Sequence, residues 1–176
     1  MNLPNNSPHS SPRKMGIGMY VLAWACLFFL LALFFQEQLD QQHNPNSAPS
    51  SQVNQQGQTE VILKPNRQHH YLAKGAINGQ PVVFMLDTGA TDVVIPKGLA
   101  DSLQLQAGRS GIANTANGRV RIYATQVDNL SIGNIQLFNI RASINPGMTG
   151  QVILLGMSAL KQIEFSQKGE LLILRQ

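Results

Sequence analysis

Cysteine is almost absent from this chain. Cys26 is the single one, and it lies inside an apolar run, so a disulfide scaffold is excluded. Charge is scarce as well: 12% of 176 residues, with a formal net charge of +4 spread thinly. No Lys/Arg cluster of the kind that neutralises phosphates occurs, and nothing argues for nucleic acid as a partner. Nor is there room for several domains. With an apolar run and a polar stretch set aside, Thr59 to Gln176 remain, enough for one small domain with a real core.

The apolar run is Met15 to Phe35, MGIGMYVLAWACLFFLLALFF, which carries no charge. About 21 residues at ~1.5 Å rise span about 30 Å, the hydrocarbon thickness of a bilayer. Arg13 and Lys14 precede it, and Glu37 and Asp40 follow it. The basic flank, residues 1–14, is expected to stay in the cytoplasm and the C-terminal part to be exported. A cleaved signal peptide is the rival reading. The run is longer than an ordinary signal core, and no Ala-x-Ala-like site follows Phe35. Ala23 to Cys26 resembles a lipoprotein processing site, but Trp24 is bulky for one and nine apolar residues follow the cysteine. The reading is an uncleaved transmembrane helix over 15–35. Residues 36–58, rich in Gln, Asn, Ser and Pro, hold too little apolar surface to offset chain entropy, so a disordered linker is expected there.

Beyond Thr59, short apolar runs alternate with Gly, Asn and Pro. Strands are expected at Glu60–Lys64, Tyr71–Ile77, Pro81–Leu86, Asp92–Ile95, Val120–Val127, Ile135–Ile144, Val152–Leu155 and Leu171–Leu174. Asn78-Gly79 and Asn117-Gly118 are type I′ hairpin signals, and Gly133-Asn134 is a third turn. Short helices are expected at Lys97–Leu103 and Met157–Gln162. Strands at this spacing indicate an all-β fold, a small closed barrel or a sandwich.

One constellation carries chemistry. Phe84-Met85-Leu86-Asp87-Thr88-Gly89-Ala90-Thr91 ends an apolar strand in a carboxylate, a hydroxyl and a glycine. Gly89 permits a tight turn, Thr88 can bond locally or to a neighbour, and Asp87 is presented by a stiff strand end. The plain alternative is an Asx-turn. Asp-Thr-Gly alone arises by chance in on the order of a few per cent of such chains, and the flanking apolar run and Ala-Thr make that far rarer. A second element follows, Val152-Ile153-Leu154-Leu155-Gly156 and then a short helical pattern. His69 and His70 read as a strand start rather than zinc ligands, because no Cys, His or carboxylate completes a metal motif.

Leu86-Asp87-Thr88-Gly89-Ala90 followed by Leu154-Leu155-Gly156 resembles the retropepsin-like aspartic proteases. The resemblance is to bacterial members with one N-terminal membrane helix and an exported protease domain; it covers roughly residues 60–176, and the protease domain is taken as 59–176. It implies a small closed acid-protease barrel and a homodimer with one catalytic Asp from each copy. The single Asp-Thr-Gly and the single strand-Gly element point the same way. Two carboxylates held a few ångströms apart share one proton, and aspartic proteases are the standard illustration of such a pair. Asp87 would be catalytic, with Thr88, Gly89, Ala90 and Thr91 forming the active-site loop and Leu155 and Gly156 supporting it. A water between the carboxylates would attack a peptide carbonyl, with no metal or cofactor. The family's mobile hairpin would fall on Ile112–Gly118, with Thr115, Ala116, Asn117 and Gly118 as flap residues, although an ordinary surface hairpin fits the same residues.

Two departures stand out. Where retroviral enzymes commonly place an acidic residue and an arginine, this chain has Thr91 and Met157, so that ion pair is expected to be missing. Leu171–Leu174 reads either as an interface strand between copies or as a core strand within one. The resemblance thus implies an aspartic endopeptidase of the inner membrane, its protease domain periplasmic and acting on peptide or protein substrates. The rivals are a non-catalytic peptide-binding or scaffold dimer and a structural envelope protein of the same fold.

Overall fold

The computed structural model describes residues 12–115 and 118–176. Its contacts divide the chain into two units, Met1–Leu39 and Asp40–Gln176. Helix α1 covers Pro12–His43, and its apolar side chains, such as Ile17, Phe28 and Phe34, lie exposed. Among the described residues it is the one helix long and apolar enough to cross a membrane. It runs past the expected end at Phe35 through polar residues, whose helix propensity is adequate once a long helix precedes them.

The second unit is mostly strand. In chain order it holds β1 (Ser50–Val53), β2 (Thr59–Leu63), β3 (Leu72–Ile77), β4 (Gln80–Leu86), β5 (Val93–Pro96), α2 (Lys97–Ser102), β6 (Ser110–Thr115), β7 (Gly118–Ile132), β8 (Ile135–Asn145), β9 (Val152–Leu155), α3 (Met157–Leu160), β10 (Glu164–Lys168) and β11 (Leu171–Arg175). The expected strands and both short helices are present, nearly all within a residue or two of their expected ends; β7 is much longer than expected. β1, β6 and β10 were not expected. Asn78 and Gly79 both take positive φ, 49° and 79°, as a type I′ turn between β3 and β4 requires. Of the second turn signal, Asn117 lies outside the described residues, while Gly118 takes φ 103°. His69 and His70 lie in a turn rather than a strand start, with Asn66 Oδ1 accepting from the amides of Gln68 and His70.

Seven strands run in the order β3-β4-β9-β5-β8-β7-β6, and β7 returns to pair with β3. Six of them therefore form a closed ring, from which β6 hangs as a hairpin on β7. β7 manages both pairings by its length: its first residues pair with β6 and Leu130–Ile132 pair with β3. The seam passes Gly75, where a Cβ would run into the Ser131 carbonyl oxygen and lie 2.8 Å from the Phe84 ring. Phe84, Ile77, Ile95, Leu130, Ile140 and Ile153 are fully buried inside.

A second sheet, order β1-β2-β11-β10, joins the two ends of this unit. β11 is internal to it, flanked by β2 and β10, and Leu172 and Leu174 are buried in the core. Of the two readings of Leu171–Leu174, the core strand is the one found. The same sheet corrects the disordered linker over 36–58. α1 continues to His43, and β1 pairs with β2 from Ser50↔Ile62 to Val53↔Thr59. Asn46, 4% exposed, donates to the carbonyls of Lys64 (2.8 Å) and Leu72 (2.5 Å) and accepts from the Lys64 amide. Asn54 Oδ1 accepts from the amides of Gln56 and Gln58. A segment too polar for a core of its own is thus ordered by hydrogen bonds onto a finished one.

Across this sheet Arg175 donates to Glu60 (2.6 Å) and to Glu164 (3.2 Å). The Arg175 hydrogen bond, helped by Gln52, holds the Glu60 carboxyl below its ordinary 4.5. A carboxylate lowered in the folded state contributes stability above its unfolded value, lost as pH falls through the folded one. Thermal melts of wild type and Glu60→Gln are therefore expected to differ most above pH 4.5 and to converge as acid protonates Glu60.

Candidate active site

The strand-end carboxylate sits where two parallel strands stop. β4 pairs in parallel with β9, Leu86 opposite Leu155, and the Asp87 amide donates to the Leu155 carbonyl (3.1 Å). β5 leaves on the other side of β9, through the pair Val94↔Leu154. The chain between β4 and β5, residues 87–92, therefore arches over the end of β9. Asp87 is half-buried. Its Oδ1 accepts from the Gly89 amide (2.9 Å), and its carbonyl accepts from the Ala90 amide (3.2 Å). One carboxylate oxygen is fixed by main chain, which sets the orientation of the group. Thr88 is exposed, and its hydroxyl has no hydrogen-bond partner among the described residues.

The second expected element supports this arch from below. Leu155 is fully buried. At Gly156 a Cβ would run into the Asp92 carbonyl oxygen and lie 2.7 Å from the Ala90 carbonyl, so only glycine lets the arch settle here. The first turn of α3 then donates upward, Met157 N to the Ala90 carbonyl (2.8 Å) and Ser158 N to the Thr91 carbonyl (2.9 Å).

Residues that sequence reasoning missed complete the support. Ser158 Oγ, in a side chain 5% exposed, accepts from the Val93 amide (3.0 Å) and donates to the Arg141 carbonyl (2.7 Å). Arg141, on β8, pairs through Nε with Asp92 Oδ1 (2.7 Å). The loop carries an ion pair of its own: the carboxylate sits one residue after Thr91, and the guanidinium comes from β8. No short-range spacing links positions 92 and 141, so no signal in the sequence marks them as partners. The two supports differ in environment. The Arg141 and Asp92 side chains are 65% and 23% exposed, so Arg141→Ala is expected to change unfolding free energy by less than about 1 kcal/mol. Ser158→Ala strands buried main-chain groups and is expected to cost about 2 kcal/mol. Denaturant melts of the two variants check the contrast.

A cavity of about 700 Å³ opens over Asp87. Asp87, Gly89, Ala90, Thr91 and Asp92 form one wall, and Ile112, Ala113, Asn114 and Thr115 of β6 form another. Val94, Ile122 and Leu154 add apolar surface, and Ser143 and Asn145 add polar groups. The β6–β7 hairpin thus shares the cavity with the carboxylate. Thr115 and Gly118 are opposed near its tip, joined by Thr115 Oγ1 donating to the Gly118 carbonyl (2.8 Å). Ala116 and Asn117 lie outside the described residues.

This assembly is matched among known proteins. Residues 73–162, just over half of the chain, match the family model described as "gag-polyprotein putative aspartyl protease". The structure is similar to a retropepsin-like aspartic protease from Rickettsia conorii, with a TM-score of 0.55 and 26% identity, over 72% of this chain and 94% of that one. It is also similar to EIAV protease complexed with the inhibitor HBY-793, with a TM-score of 0.45 and 22% identity, over 55% of this chain and 90% of that one. A curated Sinorhizobium protein, described as "Uncharacterized protein in cobV 5'region", is 29% identical over 115 residues, 64% of this chain. The chain spans about half the length of that relative, 49%. The strand-end Asp87, the arch over β9 and the family match agree: the chain belongs to the retropepsin-like aspartic protease family.

Proposed function

We propose that this protein is a membrane-anchored aspartic endopeptidase, active as a homodimer in which Asp87 of each copy faces the other. The observation that carries the reading is Asp87 itself, fixed at the end of β4 by the Gly89 amide and opening into a cavity roofed by β6. One such carboxylate cannot serve as both base and acid at once, and a second copy supplies the other. The exposed Thr88 hydroxyl, unpartnered among the described residues, is available to that second copy.

Water held between the two carboxylates loses a proton to the ionised one as its oxygen attacks the peptide carbonyl. The protonated one donates to the developing oxyanion, and the tetrahedral species then breaks as the amine leaves with a proton. The chemistry is carried by side chains alone. The mixed polar and apolar cavity suits an extended peptide, with β6 and the hairpin tip as the lid. α1 would hold both copies in the inner membrane, Arg13 and Lys14 on the cytoplasmic side and the protease unit in the periplasm. Confinement to a plane raises their effective concentration, so modest intrinsic dimerisation suffices.

A statine-type inhibitor, whose hydroxyl mimics the attacked carbonyl, tests this reading with the full-length protein in detergent. Calorimetry is expected to show one inhibitor bound per two chains, with peptide cleavage abolished at the same ratio. A ratio of one per chain, or no binding to a dimeric preparation, would overturn the shared site.

A further inference from the structure

Alternation along β8 sorts its side chains onto two faces. Ala142 and Ile144 turn into the core, each 1% exposed. Ser143 between them turns to the opposite face and lines the cavity over Asp87. Register sets it beside Val94 of β5, and Val94 beside Leu154 of β9, both of which line the same cavity. One hydroxyl thus ends an apolar row.

That hydroxyl is out of place as a packing group. Ser143 is 3% exposed, and its Oγ has no hydrogen-bond partner among the described residues. Yet none of their side-chain oxygens or nitrogens is both sealed from solvent and without a partner. The Ser143 hydroxyl is therefore open to the cavity. Alanine or valine would complete the row without the cost of desolvating a polar group, so the hydroxyl calls for a partner from outside the chain.

Asn145, two residues on, continues the same face and also lines the cavity. Its Oδ1 accepts from the Gly147 amide (2.9 Å), which leaves Nδ2 to donate elsewhere. The wall thus offers an amide donor, a hydroxyl that donates or accepts, and hydrocarbon. An acidic side chain would meet the like charges of Asp87 and Asp92, which share the cavity. A basic one would find Asp92 already paired with Arg141. A carboxamide satisfies every group: its oxygen accepts from Asn145 Nδ2, its amide donates to Ser143 Oγ, and its methylene rests on Val94 and Leu154.

We infer that Ser143 and Asn145 form a pocket for a carboxamide side chain of the substrate, Asn or Gln, and so set the cleavage specificity. The inference rests on the peptidase reading and names what that site selects. In a two-fold dimer the pocket occurs twice, so the preference is expected at two positions placed symmetrically about the cut bond.

Full-length protein in detergent, given a synthetic peptide mixture of random sequence, tests it. Mass spectrometry of the products is expected to show Asn and Gln enriched at those positions. A matched pair follows: the peptide best cut, or best retained by Asp87→Asn protein, with Asn at such a position, and the same peptide with the near-isosteric Leu. Wild type is expected to favour the Asn peptide about 30-fold in kcat/KM. Ser143→Ala is expected to lower that ratio about tenfold, and Ser143→Val to invert it. A serine that only packs would lower both rates together and leave the ratio unmoved. Calorimetry with Asp87→Asn chains reads the same preference as binding, without turnover. Equal use of the two peptides by wild type, or a ratio unchanged in Ser143→Ala, overturns the pocket and leaves the peptidase reading standing. Wild type that cuts neither peptide but binds the Asn one more tightly, by a margin lost in Ser143→Ala, keeps the pocket and overturns the peptidase. Binding of neither peptide overturns both.

Discussion

Asp87→Asn is expected to lower kcat for peptide cleavage by about 10³–10⁴-fold while leaving the fold intact. Asn has the size and shape of Asp, and its side-chain oxygen can still accept from the Gly89 amide, the contact that orients the group. It can neither take a proton from water nor share one with a partner. Folding and inhibitor-free dimerisation should therefore be unchanged, and only turnover should fall. If each site draws one carboxylate from each copy, as proposed, a mixed dimer would be as dead as the double mutant. Equal amounts of wild type and variant, allowed to exchange, should retain about a quarter of the wild-type activity at the same total concentration. Retention of about half would mean that each chain works alone. Full activity in Asp87→Asn, measured on peptides between about pH 4 and 7, would remove the protease reading altogether.

Gly156→Ala is expected to act on the fold first. Its new methyl group meets main-chain oxygens of Asp92 and Ala90, not the end of a flexible side chain. Those oxygens cannot move aside cheaply, since Met157 N holds the Ala90 carbonyl and Ser158 Oγ holds the Val93 amide. The expected loss is about 3 kcal/mol, seen as a melting temperature lower by about 10 °C. Gly89→Ala offers the contrast. A Cβ there would meet only Asp87 Oδ1, at 3.2 Å, so activity should fall further than stability. Gly98→Ala, where nothing lies within 4 Å of the added carbon, is the control and should be neutral or slightly stabilising. Equal melting temperatures for Gly156→Ala and Gly98→Ala would show that the arch is looser than its hydrogen bonds imply.

What was legible in the sequence had a local signature. Asp87-Thr88-Gly89 is contiguous, Asn78-Gly79 is a two-residue turn, and Val152–Leu155 is an apolar run closed by glycine; each declares itself within a few positions. The missed features are those in which polar residues act at a distance. Asn46 orders the segment after α1 by bonding to Lys64 and Leu72, residues 18 and 26 positions away, and hydrogen-bonding capacity leaves no periodic trace. Arg141 reaches Asp92 across 49 positions. β6 reads Ser-Gly-Ile-Ala-Asn-Thr and β10 Glu-Phe-Ser-Gln-Lys, each with one large apolar residue, too few to set a strand's alternation. Such strands are made by the neighbours they pair with rather than by their own side chains.

The seam between β3 and β7 has a consequence beyond rigidity. Only three residue pairs close it, Gly75↔Ile132, Ala76↔Ser131 and Ile77↔Leu130, and a bulkier residue at position 75 would pry them apart. A cracked cylinder would bare Ile77, Leu130 and Ile132 together with unpaired main chain along two adjoining strands. Chains in that state could stitch to one another end on end, so the characteristic failure of such a variant would be polymerisation rather than simple loss of structure.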